Sequence, residues 1–555
     1  MKRIVFFLII ISTAAAAHAY ETYVSDSQLV VELNDLYIRA GEVFPTASFP
    51  VDKAELYSFA TQLRRKAGNR DIRIEIDRYL SKLSFNAEER EVVSKESLSY
   101  EHYFRGNAIY TKDYDYQRSY IDASPFATWA LSAGSDGKAG VNISAEVRKQ
   151  HSAEEYPASN MFEGSDGNPV AVENYFITTG YFARRFDNLF LQFGRTPVHY
   201  GEPDFSTILP SDRLPFLDAF YYTWSFGPLK MTSFVSSQYN SAGGSEISDM
   251  QNVDWPSDIS VDPDGTIIYE PGTGDPDRYV AFDRTMIISA MHRFEWAFDH
   301  LRLGLSAMHL SSRENNTFHI GDFFPVFSWH NGQVGPHNMF LVAEASWVPL
   351  SGLVLTAQAG YDDINAEDFT GVGDTSIPTI PAYVVGAKYL QAARNYTMTY
   401  VVEGGYSHYL WGNFHEFDPD KGNYLSRAIY RYLRDEETVL LPLTSPYGPG
   451  AIWVNGNMEL HSTSGWTLGL ITETVFKNTK ASLVTTVYED SQEVEKAAME
   501  LWGYYGFNCK YETRIKNTVF SLFIEPAVVV RDTELWPELS VGGSADFFHR
   551  TVIQN

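Results

Sequence analysis

One stretch decides the fold: Trp466-Thr-Leu-Gly-Leu-Ile-Thr-Glu-Thr-Val-Phe476, in which apolar residues alternate with polar or small ones up to a break near Ile471. An aromatic residue stands at each end of the stretch. Alternation with a period of two is typical of a β-strand whose two faces have different surroundings. An apolar face with aromatic ends indicates a strand that faces lipid between two interfacial girdles.

The same alternation recurs along most of the chain, in residues 141–148, 301–307, 353–361 and 396–403. Periodicity alone leaves a soluble sandwich open, because a sandwich shows the same pattern with its apolar faces turned inward. The β body is about 450 residues long, whereas soluble all-β domains rarely exceed about 250. We therefore predict a closed transmembrane β-barrel, with room for roughly 14 to 18 tilted strands of about 10 residues.

The first residues predict export. Lys2 and Arg3 precede an apolar stretch from Ile4 to Ala17, and Ala17-His18-Ala19 has the form of a cleavage site. We expect a signal peptide at 1–19, a small periplasmic helical head at 20–98 and an outer-membrane barrel at 99–555. The outer membrane is then the expected location, with its lipid as one partner.

Helical spacing appears only in the head. Leu56, Phe59, Ala60 and Leu63 follow a helical pattern that Gly68 interrupts. A second helix is predicted over 71–82, and a weaker third one over 87–95. The segment from Asp35 to Phe49 looks less regular.

Composition excludes several functions. The 555 residues hold 43 Lys+Arg against 70 Asp+Glu, a net charge of −27, and we find no Lys/Arg run that makes a basic patch, so no nucleic-acid partner is expected. The single cysteine excludes an internal disulfide. The histidines lack the spacing of metal ligands, and the Asp-rich segments 262–265 and 418–423 fit turns better than calcium loops. We assign no metal ligand, no cofactor and no catalytic residue, and we expect that the protein is not an enzyme.

Short motifs resemble the Wzi family of outer-membrane capsule assembly proteins. They run from Gly194-Arg195-Thr-Pro to Tyr200-Gly201, and on through Leu209-Pro-Ser211 to Pro215-Phe-Leu-Asp218. Further matches lie in the head at 36–41, 49–51 and 54–56, and in the body at 293–295, 361–363 and 446–450. The resemblance marks Arg195, Gly201 and Asp218 as motif residues. It implies an all-β barrel of about 18 antiparallel strands with a periplasmic helical head.

The resemblance also implies a function: the barrel holds capsular or other surface polysaccharide at the cell surface, as a lectin-like protein, with a monomer as the expected state. The candidate binding residues are aromatic residues of the expected outer loops, namely Trp255, Tyr269, Trp411, Phe414 and Tyr424. Two alternatives stay open. One is a diffusion channel that favours cations, and the other is a soluble secreted protein that acts on carbohydrate.

Arg195 supports a sharper prediction. It continues the odd, apolar positions of Leu189-Phe-Leu-Gln-Phe193 and would therefore face lipid. We predict a bulge or turn within Gly194 to Pro197 and a carboxylate in contact with Arg195.

Overall fold

A computed structural model describes the chain over residues 21–83, 90–105, 124–135, 138–147, 159–161, 177–238, 259–261, 267–269, 285–314, 317–324, 337–364, 378–393, 395–412, 427–434, 437–483 and 491–553. The expected signal peptide lies outside these residues, as do the two Asp-rich segments.

Eighteen antiparallel strands close into one barrel, which confirms the predicted fold class. In chain order they are β1 Arg90–Arg105, β2 Ala127–Ser135, β3 Ala139–Val147, β4 Ile177–Phe186, β5 Leu189–Thr196, β6 Leu217–Phe226, β7 Leu229–Ser237, β8 Thr285–Ala297, β9 Leu301–Glu314, β10 His337–Leu350, β11 Leu353–Tyr361, β12 Pro381–Ala392, β13 Tyr396–Ser407, β14 Ala451–Ser462, β15 Trp466–Asn478, β16 Met499–Ile515, β17 Thr518–Arg531 and β18 Glu534–Ile553. Strand β18 pairs with β1, so the sheet has no free edge.

The head contains three helices: α1 Gln28–Ala40, α2 Lys53–Lys66 and α3 Arg70–Leu83. Helices α2 and α3 match the two predicted helices. Helix α1 was not predicted, and the weak third helix over 87–95 is wrong, because β1 begins at Arg90. The barrel therefore starts before the expected boundary between residues 98 and 99.

Smaller elements complete the described chain. Helix α4 spans Ser491–Glu495, and a 3-10 helix spans Ile320–Phe323. Four short antiparallel pairs join Thr22–Tyr23 to Val51–Asp52, Ser48–Phe49 to His199–Tyr200, Ile259–Val261 to Ile267–Tyr269, and Ile429–Arg434 to Glu437–Pro442. Among the described helices, none is long and apolar enough to cross a bilayer.

The outer wall of the barrel leaves large apolar side chains uncovered. Phe193 is 68% exposed and Leu522 is 66% exposed, and their neighbours on the same face include Leu470 and Phe507. A soluble protein would bury such a surface, whereas a bilayer covers it with hydrocarbon. These apolar strand faces therefore do not pack against one another in a closed hydrophobic core.

One polar patch interrupts this outer wall. Ser233, His292 and His309 lie on the outward face of β7, β8 and β9 and are all buried. The 3-10 helix lies over them, with 3.3 Å between His309 Nε2 and Asp322 Oδ1, and Ser233 Oγ is 2.7 Å from His292 Nδ1. This short strap, residues 317–324, therefore covers side chains that lipid would not solvate.

The head lies at the short-turn end of the barrel. Val43 N donates to Asp299 O (2.9 Å) and Gly352 N donates to Ile38 O (2.9 Å), and both barrel residues belong to tight turns. Short turns mark the periplasmic end of outer-membrane barrels and long loops mark the extracellular end.

Candidate functional site

Two chain segments meet inside the barrel, and we call them together the plug. Residues 43–52 enter from the head, and residues 197–216 fold inward from the long loop after β5. They pair as short antiparallel strands, with Ser48 opposite Tyr200. Gly201 N donates to Ala47 O (2.9 Å) at the point where the segments cross. A Cβ on Gly201 would lie 3.0 Å from Thr207 Cβ at a φ of +158°, so the close crossing favours glycine.

Glu295 on β8 holds the head segment of the plug. Its carboxylate accepts hydrogen bonds from Ala47 N (2.6 Å), Ser48 Oγ (2.6 Å) and Thr46 Oγ1 (3.0 Å). Neighbouring Arg293 donates to it as well (3.3 Å). A buried carboxylate needs such partners, because desolvation of an unpaired charge is costly.

Arg302 on β9 joins both plug segments to the wall. Its guanidinium donates to Phe44 O (2.9 Å) and to Glu202 Oε2 (2.5 Å). Glu344 on β10 lies 3.3 Å away and also accepts from Arg293 (2.8 Å). All four charged side chains are buried.

The next strands continue this anchoring. Lys388 on β12 donates to Asp204 Oδ2 in the plug and to Asp35 Oδ1 in α1, both at 2.6 Å. Glu403 on β13 accepts from Ser206 N (2.6 Å) and Ser206 Oγ (2.5 Å). On β11, Gln358 Oε1 accepts from Thr207 Oγ1 (3.0 Å). Strands β8 to β13 thus each supply a polar side chain to the anchoring of the plug.

His199 and Asp212 tie the plug to the start of the head. His199 Nδ1 lies 3.2 Å from Asp212 Oδ1, and Ser25 Oγ donates to Asp212 Oδ2 (3.3 Å). Burial alone would lower the pKa of His199, but the neighbouring carboxylate raises it above its ordinary value. Burial would raise the pKa of Asp212, and His199 holds it below its ordinary value instead.

A hairpin covers the extracellular side of the plug. It is formed by Ile429–Arg434 and Glu437–Pro442, between β13 and β14. Arg431 N donates to Gln238 Oε1 (3.0 Å) just after β7, so the hairpin crosses the lumen. Tyr430 and Tyr432 pack edge-on against Phe216 of the plug, with ring centroids 6.3 Å apart.

The remaining side of the lumen is lined by what we call the polar wall: Asn455, Glu473, Asn508 and Glu525, on β14 to β17. These side chains are half-buried. Asn508 Nδ2 donates to Glu525 Oε2 (2.9 Å), and Glu473 Oε1 accepts from the hydroxyl of Tyr447 (2.6 Å). Amides and carboxylates of this kind are suited to hydrogen bonds with hydroxyl-rich ligands.

Sequence reasoning missed the polar wall, although a signal was present. From Ala451 to His461 every second residue faces the lumen, and the series changes from apolar to Asn and Glu at Asn455. In the sequence alone, a lumen that is polar throughout looks the same as a local polar site. The two can be told apart only when the plug is seen to occupy the opposite strands.

The structure corrects the role expected of Trp411. The side chain is completely buried, its Nε1 donates to Thr444 Oγ1 (3.0 Å), and its ring packs 5.3 Å from that of Phe340. A sugar cannot reach its faces, so Trp411 is a packing residue. Trp255, Phe414 and Tyr424 lie outside the described residues, as does the side chain of Tyr269.

The predicted carboxylate partner of Arg195 is confirmed. Arg195 Nε and Nη2 donate to the two Asp218 carboxylate oxygens, each at 2.8 Å, and the guanidinium lies 3.8 Å from the Phe216 ring centroid. The strand keeps its register through Arg195 and ends at Thr196, so no bulge occurs before the strand ends. The pair therefore lies on the outer face at the extracellular border.

Within the described residues, no group of three or more His, Cys, Asp or Glu side chains is arranged to hold a metal ion.

Comparison with known proteins places the fold. No family model and no curated protein matches the chain. The structure is similar to that of Wzi, described as an outer-membrane protein involved in group 1 capsule assembly in Escherichia coli and a carbohydrate-binding β-barrel. The TM-score is 0.56 at 12% identity, over 95% of this chain and 99% of Wzi.

Porins match less closely. OccD3 (OpdP) of Pseudomonas aeruginosa has a TM-score of 0.40 at 11% identity, covering 84% of this chain and 92% of that one. OccAB1 of Acinetobacter baumannii has a TM-score of 0.41 at 9% identity, covering 84% and 99%. The likeness to Wzi shows the fold class, an outer-membrane-type barrel.

Proposed function

We propose that this protein is an outer-membrane barrel that binds surface polysaccharide, such as capsule, and holds it at the cell surface without enzymatic chemistry. The observation that carries the proposal is the anchored plug. It fills the lumen next to β4–β13 through buried charged groups, which suits a rigid attachment protein more than a conduit. The likeness to Wzi, a carbohydrate-binding barrel, supports the same function.

The polysaccharide contacts the extracellular side in this proposal. Within the described residues, the polysaccharide reaches the polar wall of the lumen from that side, and the amides and carboxylates of the wall bond sugar hydroxyls. Trp255, Tyr269, Phe414 and Tyr424 of the long loops add aromatic faces for stacking. The protein acts as a monomer, because one barrel contains the whole wall.

A direct binding test uses purified capsular polysaccharide from the bacterium that encodes the chain. We expect Asn455→Ala and Asn508→Ala to weaken retention of the detergent-solubilised protein on that polysaccharide. Thr474→Ala is the matched control, because this side chain neighbours Glu473 on β15 but faces outward. Heat-dependent gel mobility checks that each barrel is folded. Undiminished retention in both lumen variants would contradict the proposed contact surface.

Conductance in planar bilayers separates attachment from a diffusion channel. With the plug in place, we expect no large steady current from the wild-type protein. A large, steady and cation-selective current would favour the channel, because the chain as a whole is acidic.

A further inference from the structure

The turn between α2 and α3 is basic although the protein as a whole is acidic. Residues 64–82 hold seven Lys or Arg against three Asp or Glu, a net charge of +4 in a chain of −27. This patch was not predicted from the sequence, because its basic residues are separated by others and form no continuous run. We call the group Arg65, Arg70, Arg73 and Arg78 the arginine patch.

The arginine patch is exposed and unneutralised. All four side chains are exposed, and none has a carboxylate within salt-bridge distance in the described part of the chain. By contrast, Arg64 pairs with Asp77 and Lys82 pairs with Glu32. The charges without a carboxylate partner therefore lie in the last turn of α2 and in α3, and the adjacent Gly68 has open space around it.

Helix stability explains the patch only in part. Arg65 is in the last turn of α2, where a cation is favourable to the helix dipole. Arg73 Nε donates to Ala67 O (2.5 Å) at the C-terminal end of the same helix. Arg70 occupies the first turn of α3, where the dipole disfavours cations, and has no carboxylate partner within the described residues. Its presence at this end points to an external anion.

The end of α2, which carries Arg65, lies at the rim of the barrel on the side of the inner leaflet. Lys66, next to Arg65, contacts Asp299 (2.5 Å) in the tight turn between β8 and β9. Phe298 in that turn is 54% exposed, and Trp296 precedes it on the outward face. Aromatic side chains of this kind mark the level of the lipid head groups.

We propose that the arginine patch binds the phosphate head groups of anionic phospholipids in the inner leaflet, and so fixes the head against the membrane. Guanidinium groups are suited to phosphate, with which they form paired hydrogen bonds. Basic residues near an anionic leaflet each strengthen binding about five-fold at moderate salt, and added salt weakens the attraction.

Native mass spectrometry of the full-length protein in detergent tests this proposal. Phosphatidylglycerol and phosphatidylcholine are added separately, and the retained lipid is counted. We expect retention of phosphatidylglycerol, with an apparent affinity about 25-fold lower in R70Q/R73Q. The matched control is K480Q/K496Q, which removes two exposed cations at the extracellular end of the barrel, between β15 and β16, and is expected to behave like the wild type. Heat-dependent gel mobility verifies folding.

Three results would overturn the proposal. Equal retention of both lipids would remove the preference for anionic head groups. An equal loss in R70Q/R73Q and K480Q/K496Q would show a general charge effect. Displacement of the lipid by an equally charged poly-glutamate peptide, at concentrations where glycerophosphate has no effect, would indicate an acidic protein partner instead.

Discussion

Glu295→Ala perturbs the plug at its most connected point. The change removes the acceptor of three hydrogen bonds from residues 46–48 and leaves Arg293 without one of its buried partners. Removing one partner of a buried charged pair costs about 3–5 kcal/mol. Each 1.4 kcal/mol is a factor of ten, so the undocked fraction of residues 43–52 should rise by about two to three and a half orders of magnitude.

Hydrogen exchange of the backbone amides in residues 43–52 measures this change in the folded protein. We expect much faster exchange of this segment in Glu295→Ala than in the wild type, with the barrel strands still protected. Glu459→Ala is the control, because Glu459 faces the lumen but bonds Asn457 and His461 rather than the plug. Unchanged exchange in Glu295→Ala, or equal acceleration in both variants, would refute the anchoring role of this carboxylate.

Three further predictions concern single contacts. Trp411→Ala should lower barrel stability by about 3–5 kcal/mol in thermal unfolding. If the variant keeps normal stability but no longer binds polysaccharide, Trp411 is a binding residue after all. Arg195→Ala and Asp218→Ala should show a coupling of about 0.2–1 kcal/mol in a double-mutant cycle, because the pair is partly exposed; a coupling of zero would leave the pair without a stabilising role. Because Asp212 raises the pKa of His199, their ion pair is complete below the ordinary histidine pKa of about 6.5 and is lost as pH rises through the raised value. Exchange of residues 197–216, corrected for intrinsic rates, should therefore increase over that range in the wild type but not in His199→Gln.

The barrel could be predicted from sequence because each strand carries its own signal. The alternation in residues 353–361 matches β11 residue for residue, since one face meets lipid and the other meets the lumen. The sequence signals that predicted helices α2 and α3 were equally local. Helix α1 was missed although Val30, Leu33 and Tyr37 follow helical spacing, because the buried Asn34 interrupts its apolar face.

The plug could not be predicted, because its contacts join distant parts of the chain. Lys388 binds Asp35 across 353 positions, and Glu295 binds Ala47 across 248. No spacing rule connects such residues. The binding role predicted for Trp411 was wrong for a related reason. An aromatic residue in a polar loop is expected to be exposed, whereas Trp411 lies where the chain folds inward over the plug.

The lipid-facing outer wall underlies every conclusion about this protein, and the single cysteine provides its most direct test. Cys509 lies on the outward register of β16, opposite Leu468 and Ile524. A spin label on Cys509 in lipid vesicles should be accessible to oxygen, which dissolves in the bilayer, and shielded from a water-soluble nickel complex. The neighbouring lumen position, Asn508→Cys in a Cys509→Ser background, should give the opposite result. Strong accessibility of Cys509 to the nickel complex, or shielding from both reagents, would contradict a wall that faces hydrocarbon.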